Sequence, residues 1–188
     1  MAEVIVIGAG PAGASAALFL AKAGKETLVL DSNSSMTKRA WLENHYGVKE
    51  LTGPQLLEVG REQAEKFGAK FIAEKVTVVD TNGGQTVYVK TESGRNYRAD
   101  HVIFATGALT DLASATGLEL ADGREPRIKT VIQTDRYGRT SKPRIWAAGT
   151  VAGTSVHTII TSGDGAKVAI EIISELNGER YVDHDVLK

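Results

Sequence analysis

The triplet Gly8-x-Gly10-x-x-Gly13 follows directly on the run Val4-Ile5-Val6-Ile7 and opens into a stretch of small residues. Four consecutive β-branched residues suit a strand buried on both faces of a parallel sheet. Ala14, Ala17, Leu18, Phe19 and Ala21 recur at helical spacing, and Gly24 stands where a left-handed residue closes a helix. Leu28-Val29-Leu30 then forms a second strand ending in Asp31, which completes a βαβ unit. In such a unit the first glycine permits the tight turn, the second lets a pyrophosphate approach the backbone, and the third lets helix and strand pack closely. The helix start supplies free N–H groups and the positive end of the dipole. Asp31, 18 residues after Gly13, is placed to accept hydrogen bonds from ribose hydroxyls. A purely structural Gly-rich turn matches the triplet alone, but its setting between strand and helix, with the carboxylate beyond, favours dinucleotide binding. NAD and FAD satisfy this physics equally.

The chain has 188 residues, room for one domain spanning 1–188. With 42% hydrophobic and 24% charged residues it reads as an ordinary globular sequence. A net charge of −1 gives no basic field for nucleic acid or anionic lipid, so neither is an expected partner. Cysteine is absent, which excludes disulfides, thiolate metal sites and catalysis by the chain's own thiols. Met1-Ala2-Glu3 leads straight into the first strand without a signal-like region, and no apolar run approaches the ~20 residues of a membrane span, so a cytoplasmic protein is expected.

Residues 32–46 form a long polar connection, the kind that usually carries function. Thr52 with Gln55 reads as a capping box and Pro54 as a first-turn proline. Leu56, Leu57, Ala64 and Phe67 mark the buried side of a helix reaching about Gly68, and the charged run 61–66 its solvated face. Three alternating runs, 70–80, 86–91 and 95–98, are separated by Asn82-Gly83-Gly84 and Ser93-Gly94, which suits an antiparallel meander. Residues 101–105 resume the parallel sheet and 109–139 read as irregular. Residues 144–149 give a last strand, followed by a long helix through Ile159, Val168, Ile172 and Leu176. Gly163-Asp164-Gly165 in that helix is costly for helix formation, about 1 kcal/mol per glycine, and points to close packing, with Asp164 exposed or capping. His101 and His184 have no partners at metal-ligand spacing, no nucleophile elbow is present, and no catalytic residue is assigned.

Five segments in order carry a family resemblance: Gly8-Ala-Gly-Pro-Ala-Gly13, Glu43-Asn-His-Tyr-Gly47, Leu51-Thr-Gly-Pro-Gln-Leu56 with residues 61–69, Ala105-Thr-Gly107, and Thr140 to Gly149. Together they resemble the FAD domain of bacterial thioredoxin reductases over nearly the whole chain. The resemblance implies an α/β, Rossmann-like FAD-binding domain: a parallel sheet with a small antiparallel three-stranded meander. It implies that Gly8, Gly10, Pro11, Ala12 and Gly13 hold the pyrophosphate, Asp31 and Ser32 the adenosine ribose, and Val76 the adenine through its backbone. Asn44 would lie on the flavin side, Ala105, Thr106 and Gly107 at the middle of the dinucleotide, and Gly149 and Thr150 at the ribityl or phosphate region.

Family members usually carry, after Ala-Thr-Gly, a second domain with its own NADPH motif and a Cys-x-x-Cys pair. Here about thirty residues, Ala108 to Tyr137, join the two halves directly. The resemblance is therefore to the small single-domain relatives, which bind FAD and pair as homodimers. Thr150 stands where the family has an aspartate and offers only a neutral hydroxyl, which weakens the expected FAD affinity. His157 stands near the place of a glutamine beside the flavin pyrimidine, either as a polar helix-end residue or as a donor to the C2 carbonyl. His45, Tyr46 and Trp41 either pack on the core or stack on the ring. Three functions follow: an FAD oxidoreductase served by an external donor such as a ferredoxin-like protein or free NAD(P)H, a flavin-binding module without turnover, and a plain NAD-binding protein.

Overall fold

In the computed structural model, which describes residues 1–81, 83–183 and 185–186, the βαβ unit forms from β1 (Ala2–Ile7), α1 (Pro11–Lys22) and β2 (Thr27–Asp31). Two short strands, β3 (Trp41–Leu42) and β4 (Leu51–Thr52), pair antiparallel across the long connection and lead into α2 (Gly53–Lys66). The capping box forms as the sequence requires: Thr52 Oγ1 accepts from the Gln55 N–H, and the Gln55 side chain accepts from the Thr52 N–H at 2.8 Å.

The run 70–80 is two strands rather than one. β5 (Lys70–Ala73) joins β2 in parallel, and β6 (Val76–Asp80) starts the meander. β7 (Val87–Thr91) follows, then β8 (Asn96–Phe104), a single strand where the alternation pattern implied two. The first half of β8 pairs antiparallel with β7, and its second half runs parallel to β1 on one side and to β11 (Ile145–Ala147) on the other. The parallel order is thus β5-β2-β1-β8-β11, with β7 and β6 continuing the sheet beside the start of β8. Nothing in the local pattern of 95–105 separates one long strand from two short ones, because Ala99 and His101 are buried on either reading. Asn82, expected from the sequence to mark the first meander turn, and His184 lie outside the described residues.

The segment expected to be irregular holds a short helix, α3 (Asp111–Ala115), and a hairpin of β9 (Leu120–Asp122) with β10 (Thr130–Ile132). These elements bury Ala113, Leu118 and Ile132 on the sheet face formed by Ile5, Ile7, Val102, Phe104 and Ile145. The opposite face, with Val4, Val6, Val29 and Ile103, packs on α1 and on α4 (Thr158–Asn177). Successive residues of β1 point to opposite sides, so its β-branched run serves both cores.

α1 and α4 approach backbone to backbone. A Cβ on Gly165 would sit 2.0 Å from the Ala12 carbonyl oxygen, so the helix-weakening glycine is required by the contact. Gly163 meets nothing comparable. Asp164 is buried rather than exposed. α2 rides more loosely, with Leu56 and Leu57 half-buried and Phe67 42% exposed, so Phe67 does not belong to its buried side. Among the described residues no helix is long and apolar enough to cross a membrane.

Candidate nucleotide site at the carboxyl edge of the sheet

All five parallel strands end at one edge, the place where open α/β sheets bind ligands. Three backbone bonds hold the segments leaving them together: Gly8 N–H donates to Leu30 O at 2.8 Å, Ala105 N–H to Ile7 O at 2.9 Å, and Ala148 N–H to Phe104 O at 2.9 Å. The glycine loop, Asp31, Ala105–Gly107 and Gly149–Thr150 are therefore adjacent. Val76 joins them because Glu74 N–H donates to Asp31 O at 3.0 Å just before β6 begins.

The loop cannot be built with side chains. Gly8 has φ +101, and a Cβ there would lie 2.5 Å from Ala105 O; a Cβ on Gly13 would lie 1.9 Å from Gly8 O. Gly149, at φ +79, would strike Ala12 Cβ at 2.7 Å. The first turn of α1 is thereby pressed against two strand ends and against α4. No side chain caps that turn and it holds no acidic residue, so its N–H groups and dipole face the edge uncompensated. That is the chemistry a pyrophosphate requires. Asp31 Oδ1 accepts the Ala9 N–H at 3.2 Å, which fixes the carboxylate beside the loop. The residues present thus fit a dinucleotide.

The remaining candidates are more dispersed. Ser32 is exposed and bonds Ser34 Oγ at 2.8 Å. Thr106 Oγ1 donates to Leu109 O at 2.7 Å, folding the chain back at the left-handed Gly107. Thr150 is half-buried in a short 3-10 turn, Gly149–Ala152. Asn44 is exposed on the 43–50 connection. His157 is exposed at the N-cap of α4 without capping it, its Nδ1 paired with Ser155 Oγ at 2.8 Å.

Sequence reasoning missed two contacts and one close approach here. Asp164 Oδ2 accepts the buried Gly149 N–H at 2.7 Å, while Lys167 Nζ sits 2.6 Å from Oδ1 and neutralises it. A buried carboxylate tolerated by one cation and one backbone donor is the paired arrangement such a charge needs. His45 Nδ1 pairs with Thr158 Oγ1 at 2.9 Å and ties the 43–50 connection to the first turn of α4. Ser35 Oγ lies 3.4 Å from the position of a Cβ on Gly10. The first two span 15 and 113 residues, so no local pattern announces them. Tyr46 and Trp41, 92% and 61% exposed, do not pack on the core. Among the described residues no group of three or more His, Asp or Glu is placed to hold a metal ion.

The family model for pyridine nucleotide-disulphide oxidoreductases matches residues 2–127. The chain belongs to that family. Curated relatives include a thioredoxin reductase of Aquifex aeolicus, 41% identical over 127 residues, and one of Peptoclostridium acidaminophilum, 36% identical over 126. Each alignment covers 65% of this chain and 39% of the relative. The matched region thus spans about two fifths of those relatives' length. Among solved structures, a thioredoxin reductase from Gloeobacter violaceus superposes with a TM-score of 0.80 at 18% identity, over 100% of this chain and 99% of that one. The atypical thioredoxin reductase TRi from Desulfovibrio vulgaris Hildenborough gives 0.77 at 20%, over 95% and 99%. At such identities the structures support the fold: a mixed α/β architecture with a mostly parallel central sheet, as in the family resemblance.

Proposed function

We propose that this pyridine nucleotide-disulphide oxidoreductase family member binds FAD along the carboxyl edge of its sheet, as one nucleotide-binding unit over 1–188. It would act as a thioredoxin reductase-like oxidoreductase whose electron donor and acceptor lie outside the chain. The observation that carries this is the convergence of Gly8, Gly13, Ala105 and Gly149 on the uncapped first turn of α1. In this reading the N–H groups after Pro11 receive the pyrophosphate, with Gly10 and Ala12 giving it access. Asp31 Oδ2, with Ser32 beside it, accepts from the adenosine ribose, and the Val76 backbone meets the adenine. The turns at Ala105–Gly107 and Gly149–Thr150 border the middle of the cofactor. Asn44 and His157 flank the flavin end, where the positive end of the α4 dipole favours negative charge. Bound flavin supplies hydride and single-electron chemistry.

With no cysteine in the sequence, disulfide exchange by the chain itself is not part of the proposal. That same fact favours a second reading, a flavin-binding module or redox-complex subunit without turnover. Stopped-flow reduction of the FAD-loaded protein by NADH, NADPH and a reduced ferredoxin separates the two. Bleaching faster than free-flavin controls supports the oxidoreductase, and its absence with all three supports the module.

The proposal extends to a homodimer. Trp41, Tyr46 and Val48 are exposed on the connection that His45 ties to α4, and Val156, Ile159 and Ile160 are exposed around the start of that helix. Apolar surface concentrated in this way is usually covered, and a twofold pair is the commonest means.

A further inference from the structure

At the opposite edge of the sheet, where β11 begins, lies a cavity of about 340 Å3 that the dinucleotide reading does not use. Arg139, Lys142 and Arg144 line it, against one carboxylate, Glu175. Its wall therefore carries a formal charge of +2 in a chain whose net charge is −1.

The cations are held in place but keep donors to spare. Arg139 lies over the Trp146 ring at 4.7 Å, donates to Glu175 at 3.3 Å and has Asp135 at 3.8 Å. Lys142 Nζ donates one bond, to Thr116 O at 2.6 Å. Arg144 reaches Asp100 O only at 3.4 Å. A guanidinium has five N–H donors and an ammonium three, so most remain for a ligand.

Arg144 is also the strained residue of the segment. Its φ is +65, a left-handed conformation that glycine adopts freely and arginine does not. The turn is fixed on both sides: Ile145 N–H donates to Lys142 O at 3.3 Å, and Val102 N–H to Arg144 O at 2.9 Å. An arginine kept where glycine would fit better, with its side chain on a cavity wall beside two other cations, is the pattern in which strain serves a site.

We propose that this cavity binds the phosphate group of a small phosphomonoester, at a site separate from the nucleotide cradle. Such a group carries close to two negative charges at neutral pH, opposite in sign to the surplus on the wall, and the arginine forks suit its oxygens. The cavity is at the lower end of the size range of small-molecule sites, roughly 300–1,000 Å3. It leaves space beyond the phosphate, beside Ile145, for a short organic body whose hydroxyl Glu175 can accept.

The test is a titration of the full chain with glycerol 3-phosphate, followed by the indole N–H resonances. Trp146 Nε1–H is fixed on His101 Nδ1 at 3.0 Å beneath Arg139, and exposed Trp41 serves as reference. The expected result is a saturable shift of the Trp146 resonance alone, equal with and without added FAD, and tighter for glycerol 3-phosphate than for inorganic phosphate. Arg144→Gly relieves the backbone, so it should melt no lower than the parent while binding glycerol 3-phosphate at least tenfold more weakly. A shift that rises linearly and matches sodium acetate at equal ionic strength overturns the proposal. So does unchanged affinity in Arg144→Gly, or no preference over inorganic phosphate.

Discussion

Asp164 illustrates how a single residue here answers to distant neighbours rather than to its own helix. Its carboxylate is the acceptor for the buried Gly149 N–H and is itself balanced by Lys167. Asp164→Ala removes the acceptor and leaves the N–H unpaired, a loss of about 1–3 kcal/mol expected as a lowered urea midpoint. Asp164→Asn retains an acceptor oxygen and should recover part of that loss. His101 is the second such residue. Trp146 Nε1–H can only donate, so His101 Nδ1 accepts and the ring is neutral in the folded state. Burial lowers its pKa below 6.5. The unfolded chain then takes up a proton at a pH where the folded one does not. The contribution is complete above about pH 6.5 and is lost progressively as the pH falls through the unfolded and then toward the folded pKa. Denaturant midpoints measured from pH 8 to pH 5 should fall, and His101→Gln, which keeps an acceptor without a titrating ring, should flatten that part of the slope. The glycine loop and Asp31 were legible in the sequence because their chemistry is local. Asp164, expected to be exposed or capping, was not, since nothing in a Gly-Asp-Gly run shows that the fold brings the Gly149 N–H to it.

Among the elements, those set by short-range signals emerged as the residues implied. α2 begins at its Thr52–Gln55 capping box, and β1, α1 and β2 follow from β-branching, small-residue spacing and terminal glycines. The departures occur where pairing partners decide. β5 goes to β2 rather than to the meander, and β8 runs unbroken because β7, β1 and β11 share it. The 109–139 segment acquires α3 and the β9–β10 hairpin because Ala113, Leu118 and Ile132 cover an apolar sheet face, a demand that its own polar composition does not express. At the crossing of α1 and α4, Gly165 is fixed by contact with the Ala12 carbonyl. Gly165→Ala should cost about 1–3 kcal/mol by overpacking, whereas Gly163→Ala, which meets no atom within 4 Å, should be neutral or stabilising as an ordinary helix substitution. Comparing the two in urea isolates the contact from helix propensity.

For the whole molecule, the two ends of the sheet carry different chemistry. The carboxyl edge offers backbone N–H groups, a carboxylate and a helix dipole, and the other edge a cluster of cations. Six exposed apolar residues, Trp41, Tyr46, Val48, Val156, Ile159 and Ile160, lie on the 41–48 connection and around the start of α4. If that face pairs two copies, light scattering gives twice the mass of one chain, and the Trp41→Ser/Ile160→Ser double variant gives the single mass with its circular dichroism unchanged. A wild-type monomer contradicts the pairing. Whether the carboxyl edge holds flavin is read from the absorption spectrum of the purified chain after incubation with excess FAD and removal of free cofactor. A yellow protein with stoichiometric flavin is expected, with retention about tenfold or more weaker in Asp31→Ala, from the loss of charged hydrogen bonds of about 1.5–3 kcal/mol. A folded wild-type chain that stays colourless contradicts FAD binding at this edge.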